Sequence, residues 1–232
     1  MNKLAWLCGV AAALVAGASY AEGSADKGKA IFTNGKEGTA VIACQTCHMD
    51  KAQGNDGMGT PRLAGQGTAY IVKQLADIAN DKRKPTGLGE QMIAIAKGLS
   101  DQDKQDVAAY LHSVQGEELS DLKAQSIPVG QPYLGQVIVK FGVKNKVSAC
   151  QSCHGYNGRG ASPVFPMIGR QKYPYLVNQL KSWRDGSRAN DPAGMMRAIA
   201  KNLTDDDINN VAAFLATADA TTQGNHRVPS QD

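Results

Sequence analysis

The chain has 232 residues, 42% of them apolar and 20% charged, with 25 Lys and Arg against 21 Asp and Glu and a formal charge of +4. That positive excess is too small and too dispersed to make a nucleic-acid-binding surface. Four Phe and two Trp are few for this length, so aromatic volume is scarce in any core the chain builds.

At the amino terminus, Met1-Asn2-Lys3 carries a positive charge, residues 4–16 are apolar, and Ser19-Tyr20-Ala21 places small residues at the cleavage-determining positions. This pattern predicts a secretory signal peptide over residues 1–21, with Cys8 lost along with the leader. The apolar run is short for a membrane span, and Trp6-Leu7 ahead of Cys8 does not fit a lipoprotein signal. Export predicts a periplasmic, oxidising location. Residues 22–232 then suit two domains of about a hundred residues each. Their charge is uneven: residues 22–125 hold 12 Lys and Arg against 14 Asp and Glu, and residues 126–232 hold 12 against 7. Two ordinary solvated surfaces, or a dipole that orients docking to partner proteins, would both account for this.

Ser24 and Asp26 can cap a first helix running through Phe32. A glycine-bearing loop leads into Cys44-Gln45-Thr46-Cys47-His48. Cys-x-x-Cys-His is the attachment pattern for c-type haem, because two thiols at this spacing form thioethers to the vinyl groups while the next imidazole reaches the iron. Cys44 and Cys47 are therefore expected to bind haem and His48 to ligate its iron. A glycine-rich turn over 54–59 follows, then a helix over about 68–78 and a short helix carrying Met92. Ser100 with Asp103 reads as a capping pair for a last helix, whose stripe of Val107, Tyr110, Leu111 and Val114 is core. These elements make up a domain over 22–118, and a polar linker at 119–131 contains Pro128 and Gly130.

The plan then recurs. Pro132 opens a helix through Phe141, and Cys150-Gln151-Ser152-Cys153-His154 repeats the attachment motif. A turn over 155–160, a helix over about 174–183, a short helix with Met196 and the capping pair Thr204 and Asp207 complete a domain over 132–220. Residues 221–232 lose periodicity and are expected to form a mobile tail. The motifs are offset by 106 residues, Leu63-Ala64-Gly65-Gln66 matches Ile168-Gly169-Arg170-Gln171 at 105, and Ala94-x-Ala96-Lys97 matches Ala198-x-Ala200-Lys201 at 104. Tyr70, Gln74 and Leu75 likewise match Tyr175, Gln179 and Leu180. This is a tandem duplication of an all-α domain, with no convincing strand pattern. Two Cys pairs so far apart lack the compact spacing of a zinc site, and a dithiol redox motif has no need of the trailing His. A porphyrin in each half can supply the missing aromatic volume.

The sixth iron position decides between electron transfer and ligand chemistry, since a Met there closes the iron and raises its potential. Met92 and Met196 occupy equivalent places, 44 and 42 residues after their motif His, with Met195 the rival in the second half. Met58 and Met167 follow the motif too soon, Met49 adjoins the proximal His, and His112 and His226 are expected to face solvent.

These tandem motifs, the LAGQ and IGRQ segments followed by Tyr and Gln-Leu, and the Met helices leading into Leu-Ser-Asp or Leu-Thr-Asp resemble the periplasmic dihaem cytochrome c4 family. The resemblance implies two class I cytochrome c domains related by a pseudo-two-fold, His/Met ligation of both haems, and propionate edges that meet at the interface. It also implies that Pro61 and Pro166 present carbonyls to the proximal imidazoles. Two positions depart from the pattern: Met49 stands where glycine commonly follows the first motif His, and Arg170 stands opposite Gly65.

The expected function is electron carriage in a respiratory chain, from an upstream donor such as a quinol-oxidising complex to a terminal oxidase or other periplasmic acceptor, with no catalytic residues of its own. Any membrane association would come through partners. The alternative is the cytochrome subunit of a periplasmic oxidoreductase such as a flavocytochrome c sulfide dehydrogenase. A dihaem peroxidase fits poorly, since the chain looks short for one and such an enzyme must free an iron position. Mass spectrometry of the exported protein is expected to show two covalently bound porphyrins; a mass lacking either would overturn this reading.

Overall fold

The computed structural model describes residues 22–115 and 118–219, so the expected signal peptide at 1–21, Cys8, the tail at 221–232 and His226 lie outside the described residues. The first half contains α1 (Ala25–Asn34), α2 (Gln45–His48), α3 (Thr68–Ala79), α4 (Gln91–Gly98) and α5 (Asp101–Ser113). The second contains α6 (Pro132–Phe141), α7 (Gln151–His154), α8 (Tyr173–Asp185), α9 (Met195–Ala200) and α10 (Asp205–Thr217). Among the described residues there is no strand, and isolated bridges such as Asn55 with Thr60 and Ala161 with Phe165 pin the loops after the motifs. The second of these loops also winds into a single 3-10 turn at Tyr156–Gly158, where only irregular turn was expected, because Gly155 and Asn157 both take positive φ.

Local chemistry sets the helix ends. Ser24 Oγ accepts from the Lys27 N–H, and both expected capping pairs form full capping boxes. In the first, the Asp103 N–H donates to Ser100 Oγ at 3.1 Å while the Ser100 N–H donates to Asp103 at 2.8 Å. Each box satisfies two helix-terminal donors that have no intrahelical partner.

In each half the first and last helices cross at a glycine. A Cβ on Gly28 would lie 1.9 Å from the Asp106 carbonyl oxygen, and one on Gly135 would lie 1.9 Å from that of Asn210. Only a residue without a side chain allows so close an approach. Around these crossings each half packs its own core: Phe32, Leu75, Ile95, Val107 and Leu111 in the first, and Val139, Leu176, Leu203, Val211 and Leu215 in the second.

The two halves exchange hydrogen bonds reciprocally. Gln66 accepts from the Met167 N–H and donates to the Met167 carbonyl, both at 2.9 Å. Gln171 does the same with Arg62, at 2.7 and 2.9 Å. Arg83 donates to Tyr175 and Gln179, and Arg188 donates to Tyr70 and Gln74. Equivalent residues have swapped partners, which is the signature of a pseudo-two-fold axis between the domains. The segment after the first domain is strapped down rather than loose. Ser120 bonds both Asp56 and the Tyr173 N–H, Tyr173 donates to the Pro128 carbonyl, and Leu122, Ile127 and Val129 pack on the second core.

Gly28→Ala and Gly135→Ala are each expected to destabilise the protein by at least about 1–3 kcal/mol, the cost typical of overpacking. Thermal unfolding of the holoprotein measures this, and an unchanged midpoint would contradict the close crossing.

Candidate haem sites

The one-turn helices α2 and α7 turn His48 and His154 inward, where they are buried, beside their paired cysteines. His48 Nδ1 lies 2.9 Å from the Pro61 carbonyl, and His154 Nδ1 lies 2.8 Å from that of Pro166. A carbonyl only accepts, so Nδ1 carries the proton and Nε2 keeps its lone pair for a metal. Burial pushes both imidazoles below their ordinary pKa range against the opposing pull of those carbonyls, which favours the neutral ring that a metal needs. Burial likewise pushes the Cys44 and Cys150 thiols up to about 11. Surroundings that penalise a thiolate suit an uncharged thioether.

One continuous cavity of about 660 Å³ runs through both halves. Cys44, Cys47, His48 and Met92 line it in the first domain, and Cys150, Cys153, His154 and Met196 in the second. The site residues expected from the sequence are thus brought together, four to each half. The surrounding wall is aliphatic, with Ile71, Leu75, Ile95 and Leu111 answered by Leu176, Ile199, Leu203 and Leu215. Protein interiors normally pack without voids of this size. An apolar hollow with two thiols and a neutral imidazole in each half fits a covalently attached, iron-bearing macrocycle.

Met92 and Met196 are the second residues of α4 and α9, and each is partly buried. Asp191 anchors the start of α9 by accepting from the Arg197 N–H and Nε at 3.0 and 2.8 Å. Met195 also lines the cavity but is 41% exposed. His112 is exposed, as expected, and its Nδ1 donates to the Gln66 carbonyl. Sequence reasoning passed over Arg62, Arg83 and Arg188, all of which line the cavity. Arg83 and Arg188 sit at the same 105-residue offset as the neighbouring repeat matches, a signal that could have found them. Arg62 aligns with Met167 and carries no such signal.

Both departures from the family pattern fall where the backbone favours glycine. Met49 has φ 65 and ψ 164, where its counterpart Gly155 has φ 72 and ψ 174. Arg170 has φ 59, where Gly65 has φ 73. The Met49 conformation belongs to a region populated essentially by glycine and stores strain beside the proximal His.

The cytochrome c family model matches residues 25–115 and again 143–219. Together with the swapped interface, this defines a protein of two tandem class I cytochrome c domains related by a pseudo-two-fold. The chain is 33% identical over 217 residues to a thiosulfate dehydrogenase electron acceptor of Stutzerimonas stutzeri strain A1501, covering 93% of this chain and 96% of the other. It is 33% identical over 216 residues to cytochrome c4 of Stutzerimonas stutzeri, covering 87% and 92%. Among solved structures it superposes on thiosulfate dehydrogenase TsdBA of Marichromatium purpuratum, in the as-isolated form, with a TM-score of 0.74 and 27% identity. That match covers 84% of this chain and 40% of the longer one. The chain belongs to the dihaem cytochrome c4 family, carries two covalently bound haem c groups and serves electron transfer.

Replacing Met49 with Gly relieves the backbone and is expected to stabilise the folded protein by about 1 kcal/mol. Thermal unfolding of the holoprotein reads this; a lower midpoint would mean that the Met49 side chain contributes more than its backbone costs.

Proposed function

We propose that the protein is a periplasmic electron carrier of a respiratory chain, with His48 and Met92 as axial ligands of one haem and His154 and Met196 of the other. Thioethers from Cys44, Cys47, Cys150 and Cys153 hold the two groups. The observation that carries this reading is the repeated set of buried neutral imidazole, paired thiols and partly buried methionine on one apolar cavity. Haem iron supplies one-electron chemistry, and ligands that stay bound in both redox states keep rearrangement small. The chain's own part is to orient the imidazoles, exclude water and leave an edge accessible. Ile42, Met58 and Leu88 in the first half, and Val164 and Met195 in the second, are exposed and also line the cavity. They mark an apolar opening on each half through which electrons can enter and leave.

Partners in this reading are an upstream donor such as a quinol-oxidising complex and a downstream terminal oxidase or other acceptor. No helix of the described residues is long and apolar enough to cross a membrane. A second reading, as the cytochrome partner or subunit of a sulfur-oxidising dehydrogenase, draws support from the relative named as a thiosulfate dehydrogenase electron acceptor and from the likeness to the TsdBA structure. Reduction of this protein by a thiosulfate dehydrogenase at a rate that saturates with its concentration would favour that reading over the respiratory one.

Met92→Ala and Met196→Ala are each expected to abolish the far-red Met-to-iron absorption of one haem and leave the other's intact. A spectrum unchanged in either variant would reassign that ligand. The reduced wild-type protein is expected not to bind carbon monoxide readily at either haem, and rapid binding at one would overturn the carrier reading.

A further inference from the structure

Among the described residues, Arg62 is a buried cation whose hydrogen-bonding capacity is not met. It is 3% exposed, its Nε donates to the Ala64 carbonyl at 3.1 Å, and its Nη1 is buried with no hydrogen-bond partner. It takes part in none of the ion pairs among the described residues. Burial, together with the like charge of Arg170, lowers its pKa to about 10, so the guanidinium is still charged at neutral pH. A buried cation with a free N–H calls for an anion or a strong acceptor.

Its position is fixed from both sides. The preceding residue, Pro61, supplies the carbonyl that orients His48, and the Arg62 backbone is clamped by Gln171 of the other domain. The side chain lines the haem cavity. At the equivalent place on the other haem's loop stands Met167, clamped by Gln66 and carrying no charge. The duplication has therefore been broken at a cation here, and again three residues on, where Arg170 of the second half stands opposite Gly65 of the first.

Haem brings two carboxylates of its own, which match the unpaired N–H. Reduction adds an electron to the iron, so a fixed cation nearby in a low-dielectric interior favours the reduced form. We propose that Arg62 sets the two haems apart, its charge and free N–H acting on the haem held by His48 and raising that haem's affinity for an electron. At the matching place Met167 gives the other haem no such charge, so Arg62 by itself biases the order in which the pair fills. This rests on the ligand assignment proposed above.

The test is a spectroelectrochemical titration of the holoprotein, with each haem followed by the NMR resonances of its own ligand methionine. Arg62→Met, which copies the other half, is expected to weaken electron binding at the haem of His48 by about tenfold, or about 59 mV for a one-electron couple. The haem of His154 should shift by less than half as much. Arg62→Lys, which keeps the charge, should restore most of the loss. Should Arg62→Met fail to take up both haems, the neutral and polar Arg62→Gln makes the same comparison. No shift, an equal shift at both haems, or a Lys variant as low as the Met variant would each overturn the proposal. Failure of the ligand assignment would look different: the unsubstituted protein would lack the methionine resonances from the start.

Discussion

The hydrogen bond from a buried imidazole to a proline carbonyl, made once in each half, constrains most of what surrounds it. It fixes the ring's tautomer and direction, and it requires the loop bearing Pro61 or Pro166 to lie against the motif helix. That same loop continues into Arg62 and Gln66, or Met167 and Gln171, whose backbones and amides join the domains. Orienting the iron ligand and docking the halves are thus done by one segment. A disturbance at the interface reaches the proximal His through a few covalent bonds and one hydrogen bond.

The interface is polar where a simple apolar contact would have sufficed. Gln66, Gln74, Gln171 and Arg188 are buried there, each with partners across the axis. Removing one partner would leave a buried donor or acceptor unsatisfied, which costs more than the bond contributes. The arrangement therefore fixes one relative placement of the domains and, with it, the placement of the two cofactors. Lys73, Asp77 and Asn190 add contacts that have no symmetric counterpart. Together with Arg62 they show the duplicated halves diverging where they meet, while the capping boxes and helix crossings have stayed alike.

Much of this was legible in the residues alone because the signals are local or periodic. The attachment motifs, the Ser100 and Thr204 caps and the start of α6 at Pro132 each depend on atoms a few residues apart, and the structure places the caps and the helix start as read. The repeat offset gave the domain plan, and the residues that marked it, Gln66, Tyr70, Gln74 and their partners, turned out to be the interface itself. Periodicity could show that these residues recur but not that they face one another, because that depends on how two folded bodies are rotated together. The strain at Met49 was visible only as a missing glycine, since a φ value is not written in a residue's name.

By itself, then, the sequence determined a chain of two helical domains, each with thiols and an imidazole spaced for one haem, because thioether attachment fixes chemistry over five consecutive residues. Only the tertiary structure decided that both methionines line one shared cavity, that the halves are clasped by swapped glutamines and arginines, and that Arg62 is buried unpaired between them. The physical reason is that burial and pairing are properties of surfaces brought together from residues about a hundred positions apart, and no local pattern carries that distance.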